Sequence, residues 1–187
     1  MTPAQRLFGD RVAPDGSLMH ENFAAWFRDS VMVDASGLPM VLFHGTNSDF
    51  GAFKVGSFGI FFAEDPDVAN SFASIRQKFG SPRVLPVFLR IQRPWTLITY
   101  PADYPYSRMI DQSSTTLIAQ GYDACFRPGD GAWIVFSPNQ VKSRFNSGLF
   151  SRESEDIADA RPLRMESADL GAPCTDETES TQGMRMR

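Results

Sequence analysis

Three short segments carry the groups from which a site could be made. The first is Val41-Leu42-Phe43-His44-Gly45-Thr46, an apolar run that ends on an imidazole, a glycine and a hydroxyl. The second is Phe58-Gly59-Ile60-Phe61-Phe62-Ala63, which leads on to Asn70-Ser71-Phe72-Ala73. The third is Ala132-Trp133-Ile134-Val135-Phe136. His44 is one of only two histidines, with His20. An imidazole donates from one ring nitrogen and accepts at the other, so it can orient a hydroxyl or move a proton. Standing alone, a histidine at a strand end is better explained by a structural hydrogen bond, and an FGIFFA strand by burial. A small nuclease built on His44 and Lys142 is a competing chemistry, but it lacks a second catalytic histidine and a basic groove. With two histidines and two cysteines, Cys125 and Cys174, no metal site is expected, and the cysteines read as free thiols of a reducing compartment.

These segments need elements to hold them. Residues 21–29, ENFAAWFRD, place Phe23, Trp26 and Phe27 three and four apart, which predicts one apolar face of a short helix. Ser30 to Asp34 and Met40 to Phe43 predict a hairpin, with Gly37 supplying a positive φ in its turn. Residues 58–63 predict a strand. Asp65 then caps a helix with Pro66 at its first position, where a missing N–H costs nothing. Val68, Ala69, Phe72, Ile75 and Phe79 form the expected buried face of that helix. Residues 84–91 predict a strand stopped at Arg93-Pro94, and residues 100–110 a proline-broken loop. A helix over 112–120 stops at Gly121. Strands over 122–127 and 132–136 flank Pro128-Gly129-Asp130-Gly131, and 137–143 makes a closing turn and strand. Asp29, Asp34 and Asp123 flank turns and read as residues that cap or close them. Many short strands, few helices and no βαβ alternation predict an α+β fold with a split, mostly antiparallel sheet.

Charge and aromatics set the expected boundaries. All 16 Phe, 3 Trp and 4 Tyr lie in residues 1–150. Residues 151–187 carry nine acids and five bases, which is the whole chain's net charge of -4. The body is therefore neutral, which argues against a nucleic-acid face. The expected organisation is a loosely ordered lead-in over 1–19, one domain over 20–150 and a disordered acidic tail over 151–187. No apolar run approaches a membrane span, and MTPAQRLFGDR lacks the apolar stretch of a secretory signal, so a cytoplasmic protein is expected, either resident there or delivered into a host cell.

The order of the three segments resembles the ADP-ribosyltransferases of the diphtheria-toxin and poly(ADP-ribose) polymerase branch, with its His–Tyr–Glu signature. The resemblance is closest to such domains in phage and prophage polyvalent proteins. It is carried by Trp26-Phe27-Arg28-Asp29-Ser30, Asp34-Ala35-Ser36-Gly37-Leu38-Pro39, His44-Gly45-Thr46, Tyr122-Asp123 and the run from Val135 to Ser143.

The resemblance implies a cleft between two small sheets that takes NAD as substrate and cuts its nicotinamide–ribose bond. The site residues it implies are His44, Gly45, Thr46, Phe61, Phe62 and Phe72, with Ala132 at the place of the catalytic acid. His44 would bond a ribose hydroxyl, and Gly45 would offer its backbone to the carboxamide without a side chain in the way. Phe61 and Phe72 would stack on the nicotinamide, Phe61 standing where the family has Tyr. Ala132 can neither hold ribose nor favour a cationic transition state, so the protein is either a weak or inactivated transferase or a module that binds NAD, ADP-ribose or a protein partner. The acceptor, expected to be a host protein, is not specified by any of these residues.

Overall fold

Six aromatic rings from distant parts of the chain gather into one core. The structure, a computed structural model, describes residues 1–75, 81–96 and 114–159. Helix α1 (Pro3–Phe8) begins at Thr2, whose Oγ1 accepts from the Gln5 backbone N–H at 3.1 Å while the Gln5 side chain accepts from the Thr2 N–H at 2.8 Å. Phe8, at its end, packs on Phe23, Phe88 and Phe150, with ring centroids 5.1, 6.4 and 5.4 Å away. The lead-in over 1–19 is thus partly a docked helix. The Thr-Pro-x-Gln cap makes it locally, and burial of Phe8 holds it.

Helix α2 (Met19–Phe27) buries Phe23, Trp26 and Phe27, the face expected from their spacing. The hairpin expected over 30–43 is reduced to one bridge, Val33 to Pro39, around a turn with Gly37 at φ 77°. Pro39 has no N–H to extend the ladder. Asp34 closes that turn by accepting from Ser36 and Leu38, and these bonds hold its carboxyl below the usual range.

The strands are β1 (Leu42–Thr46), β2 (Ile60–Ala63), β3 (Arg83–Leu89), β4 (Pro94–Thr96), β5 (Ala124–Arg127), β6 (Ala132–Val135) and β7 (Val141–Ser143). They form one sheet in the order β4-β5-β6-β2-β1-β3-β7, antiparallel except where β4 runs parallel to β5. β3 ends before Arg93-Pro94, as expected, and Pro94 also opens β4, since a proline is tolerated at the first residue of an edge strand. The expected α+β class, with a mostly antiparallel sheet, is what the chain forms. The split lies between β1 and β2. They meet at one register position, Phe43 opposite Ala63, whereas β1–β3 and β2–β6 pair along their length.

Helix α3 (Pro66–Ile75) starts where Asp65 accepts from the Asp67 N–H at 2.7 Å. Its buried residues are Ala69 and Ala73, while Phe72, expected inside, is 53% exposed. The side chain of Ile75 and all of Phe79 lie outside the described residues, as does the expected loop over 100–110. Helix α4 (Ser114–Ala119) covers a small second cluster of Leu117, Cys125, Ile134 and Phe136. Cys125 is free, and burial pushes its thiol up to about 11, against an opposing pull from Arg127.

The body does not end at Phe150. Lys142, fully buried, donates to Ser154 O at 3.0 Å, Asp156 O at 2.8 Å and Asp159 Oδ1 at 2.7 Å. Asp159 Oδ2 also accepts from Asn146 Nδ2 and the Ser151 N–H, each at 2.9 Å. Burial pulls the Lys142 ammonium below its ordinary range, and Asp159 pulls it back up. Residues 151–159, expected in the disordered tail, are therefore a packed strap, because a buried lysine needs a carboxylate. Residues 160–187 lie outside the described residues.

Candidate active site

The seam between β1 and β2 is flanked by His44 and Phe61, two of the sequence-predicted groups. His44 sits on β1, one residue past the last pairing to β2. Its Nδ1 lies 2.8 Å from the Phe61 carbonyl oxygen. A carbonyl only accepts, so Nδ1 carries a proton and donates it to Phe61. The imidazole is fixed by Phe53 at 4.8 Å, edge-on, and by Phe62 at 5.5 Å. Phe62, expected among the cofactor-binding residues, is only 2% exposed. It points into the core and braces His44 from behind.

Gly45 is required for a reason the sequence did not suggest. A Cβ there would lie 1.7 Å from the Ala69 carbonyl oxygen and 3.0 Å from the Ala73 nitrogen. Helix α3 lies directly on the glycine, and Ala69 and Ala73 are small so that it can. Thr46 is buried, and its Oγ1 accepts from the Ser48 N–H at 3.1 Å, which turns the chain out of β1.

Pleating decides which groups share a face. Phe43 and Gly45 project to one side of β1, Phe43 is opposite Ala63, and Ala63 projects with Phe61. Because α3 lies on the Cβ side of Gly45, Phe61 and Phe72 belong to the same side of the sheet. Both are open, at 36% and 53% exposure. Ala132 is opposite Ala63 and shares this side. It is 6% exposed yet belongs to neither hydrophobic cluster.

What lies near Ala132 is a residue the sequence reading missed. Arg127 of β5 is its cross-strand partner, and the guanidinium carbon stands 5.4 Å from the Phe61 ring centroid. Arg127 also grips Asp130 through two bonds, one from Nε to Oδ1 at 3.2 Å and one from an Nη to Oδ2. The available signal was the four-residue turn 128–131, which sets residue 127 against 132.

Other polar candidates are committed elsewhere. Gln140 accepts from the N–H groups of Phe136 and Ser137 and donates to the carbonyls of Arg90 and Asp123. Asp123, expected to close its own turn, instead accepts from the Gln92 and Arg93 N–H groups, 31 and 30 residues away in the chain, and so ties the start of β5 to the approach to β4. Lys142 projects from the opposite side of the sheet to His44, by the register of β1, β3 and β7, and is fully buried. That removes it from any nuclease pairing with His44. His20 bonds the Gly9 carbonyl at 2.9 Å and lines a groove of about 430 Å³ between α1, α2 and Pro39, to which no predicted site residue contributes. Among the described residues no group of His, Cys, Asp and Glu is arranged to hold a metal, and no helix is long and apolar enough to cross a membrane.

A family model described as ADP-ribosyltransferase in polyvalent proteins matches residues 34–149. The match takes in the seam, α3 and the β5–β6 hairpin, and leaves out α1, α2 and the strap. No curated protein matches the chain.

Proposed function

The chain belongs to the ADP-ribosyltransferases of polyvalent proteins, and from that premise we propose that it uses NAD. In this reading the bond between nicotinamide and the ribose carbon breaks, and its electron pair leaves with nicotinamide. An acceptor nucleophile then bonds to that carbon and gives up a proton. The product is a singly ADP-ribosylated acceptor, and a host-cell protein in the cytoplasm is the acceptor class proposed. The polyvalent-protein setting favours a phage-encoded effector.

The observation that carries this reading is the seam itself. An ordered imidazole, bonded to the Phe61 carbonyl, lies where two half-sheets part, and the exposed Phe61 and Phe72 stand on the side of the sheet that α3 covers. His44 would bond a ribose hydroxyl at Nε2, since Nδ1 is spent on Phe61. The Gly45 backbone would meet the carboxamide, with Thr46 turning the chain away behind it. Phe61 and Phe72 would be the walls for the flat ring. Ala132 leaves the place of the acid without a carboxylate of its own, which favours a second reading, a module that binds NAD without turnover.

Calorimetry with NAD and an assay of nicotinamide release test both. We expect saturable binding, weakened about fivefold by Phe72→Ala, as for loss of one stacking contact of ~1 kcal/mol. Binding without release selects the second reading. Absence of binding by the intact chain, or indifference to Phe72→Ala, overturns both.

A further inference from the structure

We propose that Asp130 supplies the carboxylate that Ala132 cannot, with Arg127 as its positioning residue. This rests on the NAD-cleaving reading and names a further residue for that site.

Asp130 is two positions from Ala132 in the chain, in the turn between β5 and β6. Turn residues are usually free to point into solvent, but this one is held. Arg127 binds both carboxylate oxygens, and the guanidinium is itself fixed against the Phe61 ring. To reach that ring from β5 the side chain must cross β6, a span of about 10 Å at the usual strand spacing. It crosses at the Ala132 end of β6, where Ala132 and Ala63 face the same side and leave room. The two alanines are thus the floor under an arginine, and a longer residue at 132 would compete for that space.

Exposure divides the labour. The Arg127 side chain is 4% exposed and the Asp130 side chain 39%. The outward group of the pair is therefore the carboxylate. A carboxylate has about four lone-pair sites, and a bidentate guanidinium takes two. The remaining two can accept from a ribose hydroxyl beside the Phe61 wall. Phe61 ties the parts together, since its carbonyl orients His44 and its ring seats Arg127. Arg127 also offsets part of the carboxylate's charge, so such a site would turn over more slowly than one with an unpaired acid.

The test is nicotinamide release from NAD by the full chain, with kcat and KM measured separately and thermal melts on the same samples. Asp130→Asn removes the charge and should lower kcat by about 10²-fold, as for loss of one preorganised group. Asp130→Glu keeps the ion pair and the fold but displaces the carboxylate, and should lower kcat tenfold to about 10²-fold. KM and the melt of Asp130→Glu should stay near those of the parent. A parent that releases nicotinamide and an Asp130→Glu variant that matches it in kcat would overturn this proposal alone. So would an Asp130→Glu loss matched by an equally lowered melt. A parent that neither binds NAD nor releases nicotinamide removes the NAD reading and this proposal with it.

Discussion

Replacing Asp159 by alanine should destabilise the whole body, although Asp159 lies ten residues beyond the last residue of the family match. The Lys142 side chain is 0% exposed and the Asp159 side chain 2%. Without the carboxylate the ammonium keeps two carbonyl partners, Ser154 and Asp156, and no opposite charge in contact. Asn146 and the Ser151 N–H lose an acceptor as well. Breaking a buried pair by removing one partner costs about 3–5 kcal/mol. Set against a typical domain stability of about 5–15 kcal/mol, that is a large share. For a body of this size it corresponds to a fall in Tm of about 6–20 °C. Urea unfolding followed by tryptophan fluorescence reads it directly, because Trp26 is fully buried. Lys142→Met should also be destabilising, while Lys142→Met with Asp159→Leu should lose much less than the sum, a coupling of about 2 kcal/mol or more. Truncation after Phe150 should behave as badly as Asp159→Ala. A loss below about 1 kcal/mol for Asp159→Ala, with an additive double variant, would refute the clasp as the element that closes the body.

Four further outcomes follow from the structure. Gly45→Ala drives a methyl into the Ala69 carbonyl, so it should cost more than the ~1–3 kcal/mol of ordinary overpacking, and a urea midpoint equal to the parent's would contradict the helix contact. Cys125 holds its proton more tightly folded than unfolded, so its contribution is complete below pH 9.0 and lost as pH rises toward about 11; the slope of stability over that window should flatten in Cys125→Ala. At pH 8, thiol labelling followed by peptide mapping should find Cys125 slow in the native protein and fast in urea. Thr2→Ala removes the cap of α1 and should cost about 1 kcal/mol in the same melts; no change there would mean that α1 contributes nothing to the core.

Local rules were legible in the sequence. Asp65-Pro66 starts α3 because a cap and a first-position proline act on their own neighbours, and the spacing of Phe23, Trp26 and Phe27 marks α2 for the same reason. The antiparallel class was legible from short strands and turns. What depends on pairing was not. Phe61 and Phe62 are adjacent and identical, and only the pleat set by β6 sends one outward and the other behind His44. Phe72 fits a helical apolar face, yet Ala69 and Ala73 take the contact because Gly45 invites the helix close. The acidic composition of 151–159 resembles a solvated tail until Lys142 is seen to need Asp159. Arg127 gave no motif at all, since its importance comes from standing across from a residue that is not acidic.

The bond from His44 to the Phe61 carbonyl also acts as a stitch. Two half-sheets that share one backbone pairing have little else across that line at this point. A single ring is therefore both a candidate ligand contact and a mechanical fastener. Deleting it in His44→Ala would let the halves slide, and lost activity would then report a loosened frame as readily as a lost contact. His44→Asn offers an amide N–H for the same carbonyl, so it is the substitution that parts the two roles. Hydrogen exchange along β1 and β2 should stay slow in His44→Asn and quicken in His44→Ala.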